Sequence, residues 1–71
     1  MANLAIIIPT RNERENIRSL VEKIEVLLSD IDWEIVFVDD NSVDGTIHEL
    51  VVLARQNHRI RFIERIGRHG L

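Results

Sequence analysis

The stretch that most constrains this chain is residues 34–46, Glu-Ile-Val-Phe-Val-Asp-Asp-Asn-Ser-Val-Asp-Gly-Thr. Ile35, Val36, Phe37 and Val38 are β-branched or aromatic with no polar residue between them, the pattern of a parallel strand covered on both faces. The strand stops at two adjacent carboxylates, Asp39 and Asp40. Asn41, Ser42, Asp44 and Gly45 are turn formers, and Asp44 or Ser42 can cap a helix that begins near Gly45 or Thr46. Acidic groups therefore stand at the carboxyl end of a buried strand. In an open α/β sheet that edge is where ligands bind.

The elements on either side share the same logic. Residues 4–8, Leu-Ala-Ile-Ile-Ile, form an apolar run that Pro9, with its fixed φ and missing N–H, is expected to end. Thr10-Arg11-Asn12-Glu13 then spells a capping box, and Asn12 with Glu15 offers an alternative one. Ile17, Leu20, Val21, Ile24, Leu27 and Leu28 fall on one helical face, with Arg18, Glu22, Lys23 and Glu25 opposite. Trp33 leads into the central strand and reads as a core residue. Residues 46–56 give a second amphipathic helix through Ile47, Leu50, Val51 and Ala54, while Val52 and Leu53 widen its stripe and leave apolar surface for a partner. Asn57 and His58 close that helix, and residues 60–63 make a third strand. The order β-α-β-α-β is half of a doubly wound α/β sheet, and the expected strand order is 3-2-1 with right-handed crossovers.

Composition bounds the rest. A chain of 71 residues holds one small domain, close to the size where a single core is only just sufficient. Apolar residues at 45% and charged residues at 30% place it among ordered globular chains. A net charge of −3 removes any general pull on nucleic acid, so no nucleic-acid partner is expected. Acidic groups crowd residues 22–44, whereas Arg55, Arg59, Arg61, Arg65 and Arg68 make the last quarter basic. The absence of cysteine excludes disulfides and thiolate metal sites and suits a reducing compartment. The first apolar run is too short to span a bilayer and has no basic flank, so a cytoplasmic location is expected.

Two familiar nucleotide loops are missing. No Gly-x-Gly-x-x-Gly follows the first strand, where Pro9-Thr10-Arg11-Asn12-Glu13 stands instead, and no Gly-Lys-Ser or Gly-Lys-Thr occurs. His48, His58 and His69 have no metal-ligand spacing and read as surface histidines.

Three ordered motifs carry a more specific signal: Ile-Ile-Ile-Pro-Thr-x-Asn-Glu at 6–13, Val-Asp-Asp-Asn-Ser-Val-Asp-Gly-Thr at 38–46 and Arg-x-Gly-x-x-Gly-Leu at 65–71. Together they resemble family 2 glycosyltransferases, in look most like the dolichyl- and polyprenyl-phosphate mannose synthases. The resemblance implies a three-layer half of a nucleotide-diphospho-sugar transferase, Rossmann-like fold, with residues 1–71 a single partial domain: the donor-nucleotide half. It implies a fragment of an enzyme that moves a hexose, mannose in the first instance, from GDP-mannose or a UDP-sugar to a lipid phosphate. By the same resemblance Pro9, Arg11, Glu13 and Val38 line the nucleoside. Asp40 accepts from the base, a role that suits an acceptor-only carboxylate facing the N–H edge of guanine or uracil. Asp39 stays open between fixing the loop and touching the ligand, and Asp44 reads as a helix cap. Arg65 and Arg68 resemble the basic residues that approach the donor diphosphate, beside the equal alternative of a solvated tail.

One position departs from the family pattern. A tyrosine usually stands where this chain has Arg11, so ring-on-ring stacking gives way to a guanidinium that can stack or reach phosphate. The resemblance also implies Mg or Mn in the full-length enzyme, held by an Asp-x-Asp motif after a fourth strand that these 71 residues do not reach. The acceptor base is likewise absent, so the fragment is expected to be inactive alone, and its parent to work at the cytoplasmic face of a membrane.

Two other readings compete. A non-catalytic self-associating module would use the same fold, and an unpaired first strand favours a homo-oligomer in either case. A response-regulator receiver would also place paired carboxylates after a strand, but its acidic strand comes first, and here a strand and a helix precede it.

Overall fold

The computed structural model describes residues 3–65. Along them run β1 (Leu4–Thr10), α1 (Arg14–Leu27), β2 (Trp33–Asp40), α2 (Thr46–Gln56) and β3 (Ile60–Arg65). The strands form one parallel sheet in the order β1-β2-β3, which is the expected 3-2-1 arrangement with β2 in the middle. Rows run straight across it. Ile6, Ile35 and Ile60 share one row, Ile8, Phe37 and Phe62 the next but one, and Thr10, Asp39 and Glu64 lie at the carboxyl edge.

Alternation along β2 decides which rows are buried. Trp33, Ile35, Phe37 and Asp39 point to the helices and are buried. Ile17 and Val21 of α1, Leu50 and Leu53 of α2, and Ile60 of β3 complete the core. Phe37, Ile35 and Leu50 have no exposed surface, and each such side chain contributes about 1.5–3 kcal/mol relative to exposure. Both helices share one face because successive right-handed crossovers that advance in one direction return the chain to the same side.

The opposite face is bare among the described residues. Ile7 is 62% and Ile63 54% exposed, and Glu34, Val36, Val38 and Asp40 are only half-buried. The apolar run of β2 therefore does not mark a strand covered twice. No element within 3–65 supplies the second cover.

Three finer expectations are corrected as well. β1 does not stop at residue 8 but continues through Pro9 to Thr10. It is an edge strand, where a residue without an N–H is tolerated. On α1, Ile17 and Val21 are buried and Ile24 and Leu28 half-buried, but Leu20 and Leu27 are exposed, so the apolar stripe is narrower than its spacing suggests. On α2, Leu53 is buried and Val52 half-buried, so this helix leaves little of its stripe for a partner.

The amino-terminal end of the sheet is closed by Arg59. Its Nη1 donates to Asp32 Oδ1 at 3.0 Å and to the Trp33 carbonyl at 2.6 Å, and its guanidinium carbon lies 5.1 Å from the Trp33 ring centroid. Trp33 is thus buried on its inner side and capped by a cation, a favourable pairing with the ring face.

Candidate functional site: the carboxyl edge of the sheet

Where β1 and β2 end, the chain reverses in the same way twice. Asn12 has φ 53° and Asn41 φ 56°, each in the left-handed region that asparagine tolerates better than other side chains. The two loops that result are bonded to each other.

Asp39 is the inner anchor of these bonds. It has no exposed surface, and it accepts from Thr10 Oγ1 at 2.8 Å, from the Ser42 amide at 2.9 Å and from Ser42 Oγ at 2.7 Å. A buried carboxylate persists when its lone pairs are filled this way. Of the two alternatives left open for Asp39, this geometry favours the first: its carboxylate faces the core and is bonded to the loop.

Asp44 is the outer anchor. Its Oδ2 accepts from the Arg14 amide at 3.2 Å, and its Oδ1 accepts from the Thr46 amide at 3.0 Å and from the Thr46 hydroxyl. One carboxylate therefore serves the first amides of both helices, where a negative charge is favoured. The Thr46 hydroxyl does most to hold Asp44 below the usual carboxylate value of 3.8; partial desolvation opposes this, and the amides of Arg14 and Thr46 add to the lowering. Gly45 follows at φ 94°, and a Cβ there would sit 3.2 Å from Arg14 Cδ.

The capping box expected at Thr10-x-x-Glu13 is not formed. Thr10 spends its hydroxyl on Asp39, Glu13 occupies the N-cap without a side-chain cap bond, and the Glu13 amide donates to Thr46 Oγ1 at 3.0 Å. The alternative through Asn12 fails for a similar reason, since Asn12 Oδ1 accepts from the Val43 amide at 2.9 Å. Partners from the neighbouring loop replace the local ones.

Alternation sends Asp40 the other way from Asp39. It is half-buried on the bare face, in register with Arg65 of β3, and Val38 stands one row back between Pro9 and Ile63. Pro9, Val38, Asp40 and Arg65 thus share a face. Pro9 and Glu13 also border a groove of about 380 Å³ along the unpaired edge of β1, with Ile8, Ile17, Leu20 and Lys23 on its walls. Arg11 is exposed on the loop after β1. Arg68 lies outside the described residues, as do His69 and most of the Gly-containing segment. The candidate residues converge on one edge without forming a single closed pocket.

No group of three or more His, Cys, Asp or Glu able to hold a metal occurs among the described residues. Asp30-Ile31-Asp32 has the spelling of the metal motif, but it precedes β2 at the opposite end of the sheet, and Asp32 is occupied by Arg59. His48 and His58 are exposed, as read from sequence. No helix among the described residues is long and apolar enough to cross a membrane.

A parallel α/β half-sheet with polar groups gathered at its carboxyl edge places this chain in the class of open α/β proteins, whose ligands bind at that edge. Comparison with known proteins narrows this. The profile described as Glycosyl transferase family 2 matches residues 5–71, and the chain belongs to that family. It is 36% identical over 70 residues to the dolichol-phosphate mannosyltransferase of Saccharomyces cerevisiae, a match covering 94% of this chain and 26% of that enzyme. Identity to the dolichol-phosphate mannosyltransferase of Pyrococcus furiosus is 38% over 68 residues, covering 96% of this chain and 19% of that one. In structure it is similar to the mannosyltransferase PcManGT from Pyrobaculum calidifontis in complex with GDP-Man and Mn2+, with a TM-score of 0.75 and 25% identity over 99% of this chain and 21% of that one. The chain therefore spans about a quarter or less of these relatives. Membership of the family sets the receiver reading aside, and the match lends no support to a non-catalytic module.

Proposed function

We propose that residues 1–71 are the donor-nucleotide half of a glycosyltransferase that moves mannose from a nucleotide-sugar donor to a lipid phosphate. The observation that carries this reading is the division of labour at the end of β2, where Asp39 is consumed by the loop and Asp40 is delivered to the bare face. An ionised Asp40 is an acceptor only and suits the N–H edge of guanine or uracil. Pro9, Val38 and Glu13 flank the nucleoside. Arg11 stacks on the base or reaches phosphate, and Arg65 and Arg68 approach the diphosphate, a task for which guanidinium groups are well shaped. The mannosyl donor and the lipid acceptor are supported by the likeness to two dolichol-phosphate mannosyltransferases and to a mannosyltransferase holding GDP-Man.

The divalent cation that accompanies such donors has no ligand set among the described residues. The chemistry assigned to this stretch is therefore recognition of the nucleotide, with no turnover of its own. Titration calorimetry of the 71-residue chain with GDP and UDP tests the reading. Asp40→Ala is expected to weaken binding by about 1.5–3 kcal/mol, the loss of a charge-assisted hydrogen bond. Asp44→Ala is expected to weaken it far less. Equal losses at both positions, or no binding by the unaltered chain, would refute the assignment, and product from GDP-mannose and polyprenyl phosphate would refute the lack of turnover.

A further inference from the structure

We propose that Asn12 is a positioning residue for nucleotide binding: it clamps the β1–α1 loop to the β2–α2 loop and so fixes the spacing between Arg11 and Asp40. The inference rests on the binding role proposed above for those two residues. Asn12 works in both directions. Its amide donates to Ser42 Oγ at 2.7 Å, and its Oδ1 accepts from the Val43 amide at 2.9 Å.

These two bonds close a ring. Ser42 is tied by amide and hydroxyl to Asp39, and Asp39 is tied to Thr10, which returns the path to β1. Arg11 lies on this ring between two anchored residues, Thr10 and Asn12. Asp40 lies on it between two others, Asp39 and Ser42. No ion pair among the described residues involves either Arg11 or Asp40. Their separation is set by the ring instead. The left-handed conformations of Asn12 and Asn41 turn the chain immediately after each of them.

The position of the clamp separates binding from folding. Asn12 is exposed, outside the core cluster, and its bonds compete with water. Opening the ring leaves the sheet standing but lets the two loops move apart. If the freed loops keep the binding arrangement for about a tenth of the time, apparent affinity falls about tenfold, because only the competent fraction binds.

The test uses Asn12→Gly, which keeps the left-handed backbone and removes the acceptor, with Ser42→Ala, the double variant and Ser42→Thr. GDP and UDP are the probes, read by calorimetry, with thermal unfolding measured alongside. Asn12→Gly and Ser42→Ala are each expected to weaken the nucleotide bound by the unaltered chain about tenfold. Each single variant keeps one cross-loop bond, from the residue-12 amide to Ser42 Oγ in Asn12→Gly and from the Val43 amide to Asn12 Oδ1 in Ser42→Ala, so the double variant, which removes both, should bind more weakly than either single. Ser42→Thr, which keeps the hydroxyl, should bind within a few-fold of the unaltered chain. Binding by Asn12→Gly equal to that of the unaltered chain, or a double variant that binds as well as the better single, would overturn the clamp while leaving the binding role of Asp40 intact. An unaltered chain that binds neither nucleotide would remove the proposed function and the clamp with it.

Discussion

Replacing Asp39 with alanine should cost this domain much of its stability. The carboxylate has no exposed surface and fills three donors: the Thr10 hydroxyl, the Ser42 amide and the Ser42 hydroxyl. Thr10 is itself buried, so its hydroxyl is stranded once the acceptor goes, at about 1–3 kcal/mol. The Ser42 amide is half-buried and loses a similar or smaller amount, whereas the Ser42 hydroxyl can turn to water. Together these give roughly 2–5 kcal/mol. At roughly 0.05–0.15 kcal/mol per residue the whole domain holds only about 4–11 kcal/mol, so Asp39→Ala removes a large share of it. Asp39→Asn should be milder. With its oxygen toward the Ser42 amide and its NH2 group toward Thr10, both hydroxyls can rotate to accept. Urea unfolding midpoints of the two variants measure the difference. Thr10→Val added to Asp39→Ala should recover part of the loss by deleting the stranded hydroxyl. A loss below about 1 kcal/mol for Asp39→Ala, or further damage from Thr10→Val in that background, would refute this account of the bonds.

Three further outcomes follow, two from the same carboxyl edge and one from the unpaired side of β1. Asp44 has its pKa lowered in the folded chain, so its stabilising effect is complete above 3.8 and is lost as pH falls from there through the folded value. Asp44→Asn should flatten the dependence of the urea midpoint on pH in that window, and an unchanged slope would speak against the shared cap. Gly45→Ala should cost about 1–2 kcal/mol, because φ 94° disfavours any Cβ and the new methyl meets Arg14; an unchanged urea midpoint would show that the loop relaxes freely. The unpaired edge of β1 and the exposed Ile7 beside it should drive self-association of the isolated chain. Light scattering should show a homodimer or larger species that Ile7→Lys weakens, and a stable monomer at high micromolar concentration would contradict this.

The architecture was legible because it rests on local runs. The apolar residues of β2, the spacing of Ile17 and Val21 on α1 and the turn formers after Asp40 each announce an element without reference to anything distant. What failed depended on neighbours. Pro9 looks like a terminator unless the strand is known to lie at an edge, and Thr10-x-x-Glu13 looks like a capping box unless Asp39 and Thr46 are known to compete for its groups. The opposite orientations of Asp39 and Asp40 had a signal that went unused. Trp33, Ile35 and Phe37 set an inward phase, and continuing it by two places puts Asp39 inside and Asp40 out. Asn12 carried no comparable mark, because its partners Ser42 and Val43 are meaningful only once the loops meet.

The bonds that join the two loops connect residues 29 to 33 positions apart. The apolar β1–β2 rows span a like distance but bury side chains as they close, so they offset the loop closure, and the exposed polar bonds form once the strand ends have met. The carboxyl edge, where the proposed site lies, is thus the last part of the domain to take shape. Whatever small stability substitutions at Asn12 or Ser42 remove should accordingly appear in the unfolding rate, with the folding rate nearly untouched in stopped-flow measurements. A chain emerging from synthesis would possess its sheet before its two carboxyl-edge loops were locked together, a finished scaffold with an unset rim.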